Sequence, residues 1–288
     1  MVPGSWRLCL GGELEVNPLV SICIPAFNNA EHIEQAVHSA LNQTYAAIEV
    51  VVVDDASADD TYELVKAIED PRIKLSRNLL NLGLAGNWNH SIEIAQGDFI
   101  KLMGADDVLE PTAIEKELQA LLDNPAAVLA ESNSKVVNAD GRHHGTFRRY
   151  WRKGLVPGRR VAIDCTRTVD LFGSPVANLI RASVLEKVGG FDPTFVYITD
   201  YDLFMSIACQ GDIFIIGESL NQFRVRKGAN TSKVMGGGEE AAYLAEHRRM
   251  LEKHRAGLSL TNFDIWLSML SRRVWSFMVG VYLRMFVR

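Results

Sequence analysis

The sequence predicts an α/β fold: a mostly parallel sheet flanked by helices, with a helical extension at its C-terminal end. Three observations carry this. Between Val20 and Pro111, apolar runs of strand length alternate with stretches of helical periodicity. The early runs are apolar throughout, as expected of strands covered on both faces. Residues 236–288 hold helical periodicity alone.

Val20–Ile24 is an apolar run closed by Pro25, and Asn28 or Asn29 can cap a helix over 31–42. Glu49–Val53 holds four consecutive valines, and β-branched side chains suit a buried pleated surface. Ser57-Ala58-Asp59-Asp60 has the form of a capping box and opens a helix to about Ile68. A short strand over Arg72–Leu75 follows, then an Asn/Gly-rich loop from Asn78 to Gly86 and a helix through Ala95. Asp98–Met103 is a fourth strand, and Pro111 stands in the first turn of the next helix, where its missing N–H costs nothing. Periodicity weakens after Asn133, and residues 138–165 read as a long excursion. Helices return over 182–188 and 200–210, then a strand over 213–216, then helices over 239–254 and 262–287.

The chain has 288 residues, 48% of them hydrophobic, enough for one large domain with an appendage. A net charge of −5 gives no general attraction to nucleic acid, so no nucleic-acid partner is expected. Seven Lys or Arg and no Asp or Glu lie between Arg142 and Arg160, around Phe147, Tyr150 and Trp151. That stretch suits a solvated loop, an anionic acceptor or a lipid headgroup. Cys9, Cys23, Cys165 and Cys209 show neither C-x-x-C nor zinc spacing. Buried thiols in a reducing, cytoplasmic compartment are the expectation. Residues 1–17 read as a leader of little structure without the form of a signal peptide. No run of eighteen uncharged apolar residues is present.

Ligands of a parallel sheet bind beyond the C-terminal ends of its strands. The first run there offers Pro25-Ala26-Phe27-Asn28, the second Asp54-Asp55, the fourth Gly104-Ala105-Asp106-Asp107. Adjacent carboxylates repel and raise one another's pKa. A bound cation removes that cost, and carboxylate oxygens suit Mg²⁺ or Mn²⁺. The other acidic pair can accept hydrogen bonds from a nucleoside, and Phe27 can stack on its base. Turn and cap roles for the same Asp residues are the plain alternative.

These residues resemble the family 2 glycosyltransferases of the GT-A (Rossmann-like) fold. The resemblance lies in the ordered set Val20–Asn28, Leu41-Asn42-Gln43-Thr44-Tyr45, Glu49–Ser57, Asn81-Leu82-Gly83-Leu84, Gly97–Ile100 and Ala105-Asp106-Asp107. It implies a GT-A domain over 18–235, with a nucleotide-binding half at 18–130 and an acceptor-binding half at 131–235. It implies that Asp54 and Asp55 shape the base pocket, with Pro25, Ala26, Phe27, Asn28, Asn81 and Gly83 around the donor. Asp106 and Asp107 would meet the ribose, the diphosphate and the Mn²⁺ or Mg²⁺ ion. The fuller family motif has an acid where Gly104 stands. Gly189-Gly190-Phe191-Asp192 and Thr199-Asp200-Tyr201-Asp202-Leu203 resemble the acceptor-side segment, which maps the catalytic base onto Asp200 with Asp202 as the fallback; many relatives carry Glu at Thr199. Asn221–Arg226 with Thr231-Ser232 resembles a segment over the donor phosphates, where Arg224 and Arg226 can pair with the diphosphate.

The implied activity is an inverting transfer of a sugar from a nucleotide-diphosphate donor, UDP being the commonest in the family, to a carbohydrate or lipid-linked hydroxyl. Cell-surface polysaccharide or glycolipid synthesis is the expected setting. A nucleotidyltransferase and a non-catalytic nucleotide-sugar-binding protein are the alternatives. The first needs a Gly-rich basic loop after the opening strand, which Pro25–Asn29 lacks. On a helix, Leu267, Leu270, Val274, Phe277, Met278, Val281 and Met285 fall on one side, with Arg272, Arg273, Ser276 and Arg284 mostly on the other. Such a helix can lie on the inner face of a membrane or pack against the domain or in a homodimer.

Overall fold

The computed structural model describes residues 6–8, 14–148, 150–168, 170–225 and 239–286; side chains are described from residue 17 to 274 within that set. Within the expected leader, β1 (Trp6–Leu8) and β2 (Leu14–Val16) form an antiparallel pair with Trp6 opposite Val16. Residues 20–102 then follow the predicted alternation. Their elements are β3 (Val20–Ala26), α1 (Ile33–Leu41), β4 (Ile48–Asp54), α2 (Thr61–Lys66), β5 (Ile73–Arg77), α3 (Gly83–Glu93) and β6 (Phe99–Leu102). β3 pairs parallel with β4 and β6, and β4 pairs parallel with β5. The valines of β4 explain the apolar run. Val50 and Val52 enter one core, Val51 and Val53 the other, as a period of two requires when helices cover both faces. α1 buries Ile33, Ala36, Val37, Ala40 and Leu41, the stripe of a helix laid on a sheet.

The chain continues through β7 (Val108–Leu109), α4 (Ala113–Asp123), β8 (Ala127–Val137), β9 (His143–Phe147), β10 (Gly154–Pro157) and α5 (Gly158–Arg167). β11 (Asn178–Arg181), α6 (Ala182–Val188), α7 (Thr199–Ala208) and β12 (Asp212–Arg224) complete the sheet region. One ten-stranded sheet results, with the main order β10-β12-β8-β11-β6-β3-β4-β5. β12 runs parallel to β8, but β11 runs against both β6 and β8, so the sheet is mixed beyond β6. β11 follows α5 and a 3-10 turn at Pro175–Ala177. The excursion over 138–165 contains β9, β10 and most of α5. α5 begins at Gly158, where a Cβ would stand 2.2 Å from the Gly211 carbonyl oxygen and 2.4 Å from that of Ala208.

Two helices, α8 (Glu240–Leu258) and α9 (Asn262–Phe286), form the expected extension and pack against α5 and α7. Arg272 differs from the expected face. It is 2% exposed, with its guanidinium 5.0 Å from the centre of the Tyr201 ring. Phe263, Trp266, Leu270 and Val274 instead point outward. Cys23 and Cys165 are buried, but Cys209 is exposed because it falls at the C-terminal cap of α7 and not on its inner face. Cys9 lies outside the described residues. Among the described residues, no helix is long and apolar enough to cross a membrane.

Candidate active site

The ends of β3, β4 and β6 open on one rim. The Asp55 N–H donates to the Ala26 carbonyl and the Met103 N–H to that of Cys23, so the loops leaving these strands start side by side. Asp55 is 2% exposed. Its Oδ1 accepts from Asn78 Nδ2 and the Leu82 N–H, both at 2.8 Å, and its Oδ2 from the Gly83 N–H at 3.0 Å. Asn81 closes the loop by donating to the Asp55 carbonyl and accepting from the Gly83 N–H. Gly83 sits at φ +74°, which a side chain would strain. An ionised carboxylate has about four acceptor positions, so Asp55 keeps about one, on Oδ2.

Asp54 is fully buried beside this network. Its Oδ2 pairs with Arg77 Nε at 3.1 Å and accepts from the Ser57 N–H; its Oδ1 has no hydrogen-bond partner among the described residues. Asn28, at φ +50°, accepts from the Ala58 N–H through its side chain and donates its own N–H to Ser57 Oγ. It therefore ties the first loop to the second and does not cap α1. Phe27 is 47% exposed at the mouth and free to cover a flat ring.

The second acidic pair lies across β3. Asp107 is 3% exposed, and its Oδ1 accepts from the Arg224 N–H at 3.2 Å. Burial and the neighbouring Asp106 charge hold its carboxyl well above the usual carboxylate range. A Cβ built on Gly104 would stand 2.8 Å from Asp107 Oδ2 and 3.2 Å from Asp106 Oδ1. Both carboxylates therefore border the space that a side chain at 104 would fill. The two carboxylates offer hard oxygen donors of the kind that suit Mg²⁺ or Mn²⁺. Among the described residues no group of three or more His, Cys, Asp or Glu gathers into a metal site.

Arg224 ends β12 behind this pair and is 5% exposed. Its guanidinium donates to the carbonyls of Asp106, Asn138 and Ala139 and to Gln35 Oε1. Its donors brace the acidic loop against α1 and the turn after β8. Arg226, with residues 226–238, lies outside the described residues.

On the acceptor side, Asn89 and the Phe191 backbone hydrogen-bond reciprocally at 2.8 Å each way, and Trp88 stacks on Phe191 at 5.4 Å. α3, which hangs from Asp55 at its N-terminus, thus also holds the segment leading to α7. Asp200 is in the first turn of α7 and accepts from the Tyr201 N–H at 2.9 Å. Asp202, the fallback base, is 2% exposed and engaged by Lys253 at 2.7 Å and His254 at 2.9 Å. That leaves Asp200 as the carboxylate of this turn with access to solvent.

A family profile, Glycosyl transferase family 2, matches residues 21–189, more than half of the chain. The chain belongs to glycosyl transferase family 2. This glycosyltransferase is 28% identical over 266 residues to an uncharacterized protein of Mycobacterium tuberculosis, covering 88% of this chain and 79% of that one. It is 28% identical over 256 residues to the hyaluronan synthase of Pasteurella multocida, covering 86% of this chain but only 24% of the synthase. Among solved structures it is similar to residues 1–349 of TarS from S. aureus in complex with UDP-GlcNAc, at TM-score 0.62 and 19% identity over 83% of this chain and 73% of that one. The mannosyltransferase PcManGT from Pyrobaculum calidifontis, in complex with GDP-Man and Mn²⁺, gives TM-score 0.62 and 20% identity over 92% of this chain and 73% of that one. Both likenesses show the GT-A fold.

In this glycosyltransferase, polar residues that the sequence reading passed over flank these carboxylates. Asn78, Asn87 and His90 form a buried chain on the Asp55 side. Asn78 Nδ2 donates to Asn87 Oδ1, and His90 Nδ1 lies 2.6 Å from Asn78 Oδ1. Asn87 also reaches the Ala26 and Val53 carbonyls. Asn87 and His90, polar residues three apart in an otherwise amphipathic helical stretch, were the available signal. Under Asp107, Lys101 and Glu117 form a fully buried ion pair. The signal there was a Lys set between Ile100 and Leu102 in an apolar strand.

Proposed function

We propose that this chain is an inverting glycosyltransferase that moves a sugar from a nucleotide-diphosphate donor of the UDP class to a hydroxyl on a carbohydrate or lipid-linked acceptor. The observation that carries the reading is the pair of Asp106 and Asp107 oxygens facing the space over Gly104, next to the strand end that carries Asp55. One wall recognises a nucleoside through Phe27 and the remaining acceptor position of Asp55, with Asp54 buried behind it and shaping the pocket. The other faces a diphosphate. A Mn²⁺ or Mg²⁺ ion held by Asp106 and Asp107 would supply positive charge beside the leaving group. Arg224 keeps those two carboxylates in register. The relatives' names support a nucleotide-sugar donor and a polysaccharide product: TarS holds UDP-GlcNAc, PcManGT holds GDP-Man with Mn²⁺, and the matches include hyaluronan synthase and succinoglycan biosynthesis protein ExoO of Rhizobium meliloti.

Asp200 takes the proton from the acceptor hydroxyl as that oxygen bonds to the anomeric carbon. The first turn of a helix favours the ionised carboxylate. With one base and no obvious nucleophile among the described residues, displacement occurs in a single step from the face opposite the diphosphate, which inverts the anomeric centre. The outward stripe Phe263, Trp266, Leu270 and Val274 supports peripheral contact of α9 with the inner face of a membrane, where a lipid-linked acceptor would lie. Calorimetry of UDP with Mn²⁺ on the parent chain and on Asp107→Ala tests the donor site. Loss of Mn²⁺-dependent affinity is expected, and equal affinity in the two proteins would remove the metal site from the account. Co-sedimentation with anionic vesicles, compared with a chain stopped at Leu260, tests the membrane contact. Equal binding would end that part of the proposal.

A further inference from the structure

Helix α8 lies beyond the segment that the family profile matches, yet one of its faces grips the stretch that carries Asp200. Glu246 accepts the N–H groups of Val196 and Tyr197, each at 2.9 Å. Arg249 donates to the Thr194 carbonyl. Lys253 Nζ reaches Asp192 Oδ2 at 2.9 Å and Asp202 Oδ2 at 2.7 Å. Glu246, Arg249 and Lys253 recur at three- and four-residue spacing, so they present one row to this stretch. The ring of Phe195 lies beneath that row, 4.4 Å from the Arg249 guanidinium and 5.3 Å from the Lys253 ammonium. Asp200 therefore stands between two fixed points, the Tyr197 N–H and the Asp202 carboxylate.

We infer that Lys253, together with Glu246, is a positioning residue for Asp200, so that α8 sets the pose of the base. The inference rests on the assignment of Asp200 as base. Its physical ground is the tolerance of proton transfer to geometry: displacement of a reacting group by about 1 Å can cost about a hundredfold in rate. Asp202 is 2% exposed and held between Lys253 at 2.7 Å and His254 at 2.9 Å. Asp202 shares the first turn of α7 with Asp200, so a shift of one moves the other. Lys253 is itself 40% exposed, and without it His254 still reaches Asp202 at 2.9 Å, so the carboxylate keeps a partner. Its loss should be read in turnover before it is read in folding.

The test uses the full chain with Mn²⁺ and whichever of UDP-glucose, UDP-GlcNAc and GDP-mannose raises its melting temperature most. The readouts are release of nucleoside diphosphate with water as acceptor, donor Kd and melting temperature. Lys253→Met is expected to slow turnover at saturating donor about tenfold or more, with donor Kd within about twofold of the parent. Lys253→Arg restores turnover to within about threefold, and Glu246→Gln lowers it in the same sense as Lys253→Met. Because both changes act through Asp200, the double variant Asp200→Asn/Lys253→Met should be no slower than Asp200→Asn alone. Parent-like turnover in both Lys253→Met and Glu246→Gln would overturn the inference, as would losses that multiply in the double variant. If Lys253→Met does not fold, Glu246→Gln and Lys253→Arg decide by the same criteria. A slow Asp200→Asn beside a fast Lys253→Met would reject α8 positioning and keep the base; a fast Asp200→Asn would reject the base and the inference with it.

Discussion

Gly104 lies beneath the carboxylate of Asp107: a methyl group added at 104 would stand 2.8 Å from Asp107 Oδ2. Asp107 is pinned on its other oxygen by the Arg224 N–H, so it has little room to turn away. Gly104→Ala is therefore expected to weaken Mn²⁺-dependent UDP binding about tenfold, or about 1.4 kcal/mol, with little change in melting temperature. Calorimetry with and without Mn²⁺ measures both terms; an unchanged Mn²⁺ dependence would show that the space over Gly104 holds no cation.

Asp200→Asn keeps the size of the side chain and an oxygen to accept from the Tyr201 N–H, but removes the proton acceptor. Turnover should fall by roughly 10²–10⁴, with donor affinity retained. Steady-state rates together with donor Kd distinguish this from a folding defect. A fully active variant would return the role to another group.

The Lys101–Glu117 pair is fully buried, and Ser132 Oγ donates to the same carboxylate. Burial pushes the Lys101 ammonium down and the Glu117 carboxyl up from their ordinary values, each partly offset by the other. Lys101→Met leaves a buried carboxylate and should destabilise the fold by about 3–5 kcal/mol; Lys101→Met/Glu117→Leu should recover most of that. Denaturant titration of the two variants checks the ordering. A double variant no more stable than the single would mean that the pair contributes more than its burial costs.

His247 is buried under Tyr201 and Tyr243, with Nε2 2.9 Å from Ser268 Oγ. Burial, then the Arg272 charge, lower its pKa to about 3. The unfolded chain takes up this proton near pH 6.5 and the folded chain does not, so stability present above that pH is lost as pH falls from 6.5 towards 3. Between pH 7 and pH 5 the parent should lose about 2 kcal/mol more than His247→Phe, at about 1.4 kcal/mol per unit over the lower part of that interval. Paired melts at the two pH values test this, and equal losses would exclude His247 as the source.

The nucleotide half was legible because its signals are local. A run of valines covered on both faces needs no knowledge of its partners, and an acid just after such a run must lie at the rim. Asn81 and Gly83 entered through resemblance, and their bonds to Asp55 supply a physical reason for them. The second half was harder to read. β11 pairs with Ala130 on one side and Ile100 on the other, contacts too distant in sequence to leave a local pattern. α5 is mostly polar and begins at a glycine fixed by two distant carbonyls, so its helix was read as part of a loop. Arg224 looked like a phosphate ligand by position; its inward hydrogen bonds depend on carbonyls that no side-chain pattern encodes.

The seam between the two halves is β11, four residues long, seated between β6 and β8. A chain cut at residue 130 would therefore keep the nucleotide strands yet leave β6 with a bare row of N–H and C=O groups along one side. Such an edge recruits other chains. The boundary near residue 130 is thus no place to divide the polypeptide, and a fragment ending there should self-associate instead of standing alone.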